Sequence, residues 1–306
     1  MFGKFLISVV GPTAIGKTKM AIALAQHFDT EIISADSRQL YKEMKIGTAV
    51  PTLEELNTAP HHFIQYKSIF DTYSVGDFEQ DASSLLKRLF TKKSVVIMAG
   101  GSGLYVDAVV QGLDKFPEVA PEIRRDLNNR MKVEGIQVLQ RQLKRLDPLY
   151  FSKVDLENPH RLIRALEICI GTGRPYSSFL KGKKQKRFFS TIQVGLQADR
   201  KIIYDRINKR VDLMMEAGFL EEAKSLFPHR KKNALQTVGY KELFNYLEGI
   251  WELDFAISEI KKNTRRFAKR QLTWFRKDKS ILWFPYDCDV HEIIESLKPK
   301  MTIGDE

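Results

Sequence analysis

Cysteine is scarce in this chain: Cys169 and Cys288 are the only two among 306 residues, far apart and without CxxC spacing. Neither a disulfide framework nor a zinc site is supported. His61 and His62 are adjacent but resemble no metal site. Long apolar runs are also missing, since none approaches the roughly 18–20 residues that span a bilayer. No membrane partner is expected. The N-terminal FLISVV is short, lacks a cleavage-site pattern and runs straight into a glycine loop, so it reads as a buried strand. Cytoplasm is the expected compartment, and a monomer the expected state. Surplus positive charge is missing from one part of the chain only. Residues 1–114 hold 11 Lys/Arg and 12 Asp/Glu, whereas residues 115–306 hold 38 and 26. The whole formal excess of +11 therefore lies outside the N-terminal segment. That segregation suits a polyanionic partner; a solvated lysine-rich surface gives the same count.

What is present reads as an ordinary globular chain, 43% hydrophobic and 28% charged. Its length carries a prior of about two domains. Short apolar runs alternate with amphipathic stretches at the start, the sign of parallel βαβ units. FLISVV (5–10), EIISA (31–35) and SVVIMA (94–99) read as strands. Helices are expected over about 17–27 and 76–90, the second with Phe78, Ala82, Leu85, Leu86 and Leu89 at helical spacing. After Gly112 the texture turns helical, with no strand until TIQVGL (191–196). KGKKQKR (181–187) is a basic connector, either a phosphate contact or a linker. Beyond Asp199 come helices through RINKRVDLMMEAGFLEEAKSLF, a long basic helix at about 254–277 and a last strand at ILWF (281–284).

GPTAIGKT, residues 11–18, fits G-x-x-x-x-G-K-[ST] at every position and lies between a strand and a helix. Gly11, Pro12, Thr13, Ala14, Ile15 and Gly16 are expected to wrap so that backbone N–H groups face a phosphate at the helix N-terminus. Lys17 adds a point charge, and the Thr18 hydroxyl is expected to serve Mg²⁺ as a ligand. The fold class that follows is α/β: a P-loop NTPase-like parallel sheet flanked by helices, with an all-helical insertion domain. Residues 1–115 and 191–306 form the expected core, and residues 116–190 the insertion.

An ordinary nucleotide hydrolase usually holds Mg²⁺ with an acid ending a second strand. SVVIMA ends instead in Gly100-Gly101-Ser102-Gly103, and no Asp or Glu follows until Asp107. Three glycines beside a hydroxyl suggest close backbone approach to a ligand, or a flexible turn. The strand EIISA does end in an acid, Asp36, on the rim that carries the phosphate loop. Three roles stand open for it: proton acceptor from a nucleophile, water-mediated Mg²⁺ ligand, or helix N-cap.

Six blocks, GPTAIGKT, SADSRQLY, GGSGLY, NPHRLIRALE, TVGYKEL and TRRFAKRQLTWFR, occur in the order seen in tRNA dimethylallyltransferases. The chain resembles the bacterial members of that family from about residue 5 to residue 285. The resemblance implies transfer of a dimethylallyl group from dimethylallyl diphosphate to the exocyclic N6 amine of the adenosine 3′ of the tRNA anticodon. It implies that the phosphate loop grips the donor's diphosphate with Mg²⁺. Asp36 matches the family's general base, and Ser102 stands where many members have threonine. Arg210, in RINKRVDLM, matches an arginine that neutralises the departing diphosphate. Asp36, Ser37, Arg38, Gln39, Ser102 and Arg124 fall where family members touch the anticodon stem-loop. So do His160, Arg161, Leu162, Ile163 and Arg164, and Leu235, Gln236, Thr237, Val238, Gly239 and Tyr240. TRRFAKRQ departs from the commoner TRQLAKRQ at Arg266 and Phe267.

Between Lys261 and Lys279 nine Lys/Arg and one acid interleave with Phe267, Trp274 and Phe275. Basic residues hold phosphates while aromatics stack bases, yet Phe267 and Trp274, seven apart, read first as helix core. Three other readings compete with tRNA prenylation: a small-molecule P-loop kinase, an adenylate prenyltransferase, and an RNA-binding module with a vestigial loop. An intact GKT beside Asp36 argues against the last.

Overall fold

The computed structural model describes residues 3–180 and 186–302. The chain divides into two compact units, Met1–Gln111 with Lys186–Glu306, and Gly112–Gln185. The first unit begins with β1 (Phe5–Val10), α1 (Lys17–His27), β2 (Ile32–Ser34), α2 (Leu53–Thr58), β3 (His61–His62), α3 (Val75–Leu89), β4 (Val95–Gly100) and α4 (Gly103–Gln111). The second unit holds α5 (Pro121–Glu134), α6 (Ile136–Leu146), α7 (Pro148–Phe151) and α8 (Pro159–Thr172). The first then resumes with β5 (Ser190–Gln197), α9 (Arg200–Glu216), α10 (Phe219–Leu226), α11 (Tyr240–Leu247), α12 (Leu253–Phe275), β6 (Leu282–Pro285) and α13 (Val290–Thr302).

All six strands form one parallel sheet in the order β3-β2-β4-β1-β5-β6. Strand β1 is buried along its whole length. Its Leu6 and Val10 join one apolar cluster with α3, while Phe5, Ile7 and Val9 join another with α1. A strand covered on both faces has no polar side, which is why FLISVV shows no alternation. Register then sets the site. Val10 pairs with Gly100 and Ser34 with Ala99, so Gly11, Asp36 and Gly101 leave the sheet on one rim. Ligands of open α/β sheets bind at that carboxyl rim.

Several expectations shift. The edge strand β3 has two residues, too short to show any alternation. The helical run after Asp199 breaks at Gly218, whose φ of 94° lies in the left-handed region that a glycine adopts without steric cost. Helix α13, missed in the sequence, buries Ile293, Ile294 and Leu297 in the cluster beside α1. The insertion is 112–185 and not 116–190. By residue 187 the chain has rejoined the first unit, with Arg187 paired to Glu79 at 2.7 Å and Phe189 stacked on Phe90. Of KGKKQKR, residues 181–185 lie outside the described residues.

The second unit shows helix and no strand among its described residues. Pro121, Pro148 and Pro159 each open a helix, where the missing N–H costs nothing. Gly135 and Gly173, at φ 80° and 68°, end two of them. Leu127, Leu139, Leu143, Leu162, Ile163, Ala165 and Leu166 form its core.

Candidate active site

The phosphate loop joins β1 to α1 with Gly11, Ala14 and Gly16 at positive φ (145°, 63° and 108°). Gly11 must be glycine for a second reason, since a Cβ there would lie 2.7 Å from the Leu196 carbonyl oxygen. Ile15 turns into the core and anchors the loop. Lys17 Nζ donates to the Pro12 carbonyl at 2.7 Å, and Arg206 Nε donates to the Ala14 carbonyl at 2.7 Å. Arg210 Nη1 donates to Thr13 Oγ1 at 3.1 Å. The Thr13 N–H does not face the phosphate side as expected: it donates to Gln271 Oε1 at 2.8 Å. Burial pulls the Lys17 ammonium from 10.5 to about 8, with Asp36 opposing and Arg210 adding to the shift. Burial also lowers Arg210, again against the attraction of Asp36. Two cations held against their preference for water form a site that an anion stabilises.

Asp36 lies two residues past the end of β2. Its Oδ1 accepts from Arg38 N at 2.9 Å and from Gln39 N at 3.3 Å, closing the turn, while Oδ2 accepts no hydrogen bond among the described residues. That oxygen closes a turn and caps no helix, since the next helix, α2, is capped by Thr52. Ser102 Oγ accepts from Ser37 N at 3.0 Å and donates to Ser37 Oγ at 3.1 Å, tying the loop after β4 to the loop after β2. The glycines of that loop are held close to protein neighbours, and Gly101 and Gly103 also line a neighbouring cavity. A Cβ at Gly100 would meet the Ala35 carbonyl oxygen at 2.2 Å, one at Gly101 would meet Gln271 Nε2 at 2.2 Å, and one at Gly103 would meet the Trp274 ring at 2.3 Å.

Above these loops lies a cavity of about 700 Å³ within the first unit. Thr13, Asp36, Ser37, Arg38, Ser102 and Arg210 line one part of it. Gln236, Thr237, Val238 and Gly239 line another, held near Asp36 because Arg38 Nη1 donates to the carbonyls of Asn233 and Ala234. Helix α12 adds Thr264, Phe267, Arg270, Gln271 and Trp274. The core reading is thus corrected for Phe267, while Trp274 packs against the main apolar cluster and also reaches the cavity. Phe267 is 38% exposed, and Trp274 stands at the cavity wall with its Nε1 donating to Asp107 Oδ2 at 2.9 Å. Arg266 is exposed.

Not every residue matched to a tRNA contact offers a side chain. Leu235 and Tyr240 are fully buried, Tyr240 OH donating to Glu222 Oε1 at 2.7 Å. Gln39 is held by Nε2 bonds to the Thr48 and Ala49 carbonyls. In the second unit Leu162 and Ile163 belong to the helical core, whereas His160 and Arg161 are exposed on α8. Arg124 and Arg164 share the buried carboxylate of Glu167, at 3.0 and 3.1 Å, and Arg164 also lies over the Phe116 ring. Among these residues Leu162, Ile163, Leu235 and Tyr240 are packing positions, while His160 and Arg161 are displayed.

The IPP transferase family matches residues 39–278 of the chain. The chain belongs to this family. A tRNA dimethylallyltransferase of Christiangramia forsetii is 61% identical over 97% of this chain and 99% of its own length. One from Flavobacterium johnsoniae is 57% identical, with 96% and 99% covered. Among solved structures, a full-length tRNA isopentenylpyrophosphate transferase from Bacillus halodurans superposes with a TM-score of 0.74 at 37% identity, covering 98% of both chains. A eukaryotic dimethylallyltransferase acting on tRNA gives a TM-score of 0.82 at 24% identity over 99% of this chain and 80% of its own, and so shares the fold.

As a member of the IPP transferase family the chain is a prenyl-transferring enzyme, and its site has features the sequence reading missed. Gln271 and Arg206 both touch the phosphate loop, from α12 and α9. Gln271 lies inside the TRRFAKRQ block, so the signal was there, but nothing local aims a helical glutamine at a loop 258 residues away. Arg206 stands four residues before Arg210, the spacing of one helix face, which was a usable sign. Among the described residues no group of three or more His, Cys, Asp or Glu stands ready for a metal, and no helix is long and apolar enough to cross a membrane.

Proposed function

We propose that the chain transfers a dimethylallyl group from dimethylallyl diphosphate to the exocyclic N6 amine of the adenosine 3′ of the anticodon in tRNA, releasing diphosphate. The observation that carries this reading is one cavity wall on which Asp36, Ser102 and Arg210 meet Thr13 of the phosphate loop. Cations for a departing anion and a carboxylate for an incoming amine lie on the same surface.

The chemistry follows from those groups. The bond between the allylic carbon and the diphosphate oxygen breaks as the bond from N6 to that carbon forms. Lys17, Arg210 and the N-terminus of α1 stabilise charge growing on the leaving diphosphate. Asp36, whose Oδ2 accepts no hydrogen bond among the described residues, takes the amine proton. An adenine amine within a stacked loop is out of reach, so the base swings out toward the cavity. Mg²⁺ is part of the proposal. Thr18 would hold it, together with substrate phosphate oxygens and water, a ligand set that this ion accepts without a carboxylate cage. It supplies further charge neutralisation to the diphosphate when bound.

Labelled dimethylallyl diphosphate, offered with unmodified tRNA, AMP or an alcohol plus ATP, tests the reading. Label in tRNA at the adenosine beside the anticodon is the expected result. Label in AMP alone, or phosphorylation of the alcohol, overturns it.

A further inference from the structure

Gln271 is a buried polar side chain, 5% exposed, and both ends of its amide are engaged. Oε1 accepts from Thr13 N at 2.8 Å, and Nε2 donates to the Gly101 carbonyl at 2.8 Å. The orientation is fixed by its partners, since an N–H only donates and a carbonyl only accepts. Each partner carries one half of the reaction. Thr13 belongs to the phosphate loop and is bonded to Arg210. Gly101 precedes Ser102, which is bonded to Ser37 beside Asp36. The two loops come from β1 and β4, and this amide joins them.

We infer that Gln271 is a positioning residue that sets the register between the leaving diphosphate and the attacking amine, an inference that rests on the transfer reading above. Neither half-site depends on it alone. The phosphate loop keeps the Lys17–Pro12 and Arg206–Ala14 bonds, and the acceptor side keeps the Ser37–Ser102 pair. Losing the amide loosens the spacing of the two loops and leaves both cradles standing. A misplacement of about 1 Å between reacting groups costs about 10²-fold in rate.

Two isosteric substitutions of the full chain separate this role from packing. Gln271→Met fills the same space with neither hydrogen bond, while Gln271→Glu keeps the acceptor for Thr13 N and loses the donor for Gly101. Single-turnover transfer to tRNA is measured with both KM values, and calorimetry with inorganic diphosphate counts intact donor sites. The expected result is a kcat lower by about 10²-fold in Gln271→Met. Both KM values stay within about threefold, a full equivalent of diphosphate is bound, and Gln271→Glu falls between Met and wild type. A kcat near wild type overturns the inference, as does a loss matched by missing diphosphate sites. Should Gln271→Met fail to fold, Gln271→Glu decides by the same split between kcat and KM. A wild type that moves no label into tRNA sinks the reaction reading instead, whatever the variants do.

Discussion

At the scale of single residues, Asp36 serves two masters through two oxygens. Oδ1 closes the turn that carries Arg38 and Gln39, and Oδ2 accepts no hydrogen bond among the described residues. Asparagine keeps an acceptor for the turn but is no base. Asp36→Asn is therefore expected to lower transfer by at least about 10²-fold, the usual worth of a general base, with tRNA affinity close to wild type. Single-turnover rates and a tRNA titration check this, and a loss of tRNA affinity equal to the loss of rate would make Asp36 a positioning group. Lys17 carries a pH prediction. Its folded-state value of about 8 lies below 10.5, so the free enzyme loses this charge as pH rises through about 8. The parameter kcat/KM for the donor, which reports the free enzyme, is expected to fall on that alkaline side. Bound diphosphate favours the charged lysine, so the limb in kcat moves to higher pH. Lys17→Arg should remove the break near 8 from the pH profile.

At the scale of elements, α12 organises the site. Its Gln271 holds the phosphate loop, and its Trp274 lies over Gly103 at the start of α4. A methyl group at Gly103 would collide with the indole at 2.3 Å, and the ring is held in place by Asp107. Gly103→Ala is expected to destabilise the fold by about 1–3 kcal/mol, the usual cost of overpacking. Transfer should be impaired as well, because Ser102 moves with that loop. Thermal unfolding and initial rates measure the two effects, and an unchanged midpoint would show that helix and loop move apart freely. Phe267 read as core in the sequence because helical spacing describes a stripe without saying what it faces. Here the stripe of α12 faces both the sheet and the cavity, with Ala268 buried and Phe267 beside it exposed.

At the scale of the whole molecule, charge is the property that matters. Residues 115–306, with 38 Lys/Arg against 26 Asp/Glu, carry the whole excess, and they include α12 and all but the first three residues of the second unit. Much of the helical unit's charge is displayed: Arg161 is exposed, and Arg124 and Arg164 are about half exposed even while bonded to Glu167. Binding of tRNA is expected to weaken by about 10²-fold between 50 and 200 mM salt for about four phosphate contacts. A flat response in a filter-binding titration would remove the electrostatic role from this segment.

The sequence alone determined whatever depends on neighbours along the chain. The phosphate loop is eight consecutive residues between a strand and a helix, and β1 and β4 are apolar runs that only a doubly covered strand explains. Asp36 was legible because a strand end delivers the residues after it to the rim. The tertiary structure decided what depends on distant partners. It turned the 100–103 glycines toward Ala35, Gln271 and Trp274, and it took Thr13 N–H from the phosphate side. It buried Leu235 and Tyr240 while leaving Gln236 to Val238 at the cavity. Local pattern fixes which face of an element is apolar; only packing fixes what that face meets.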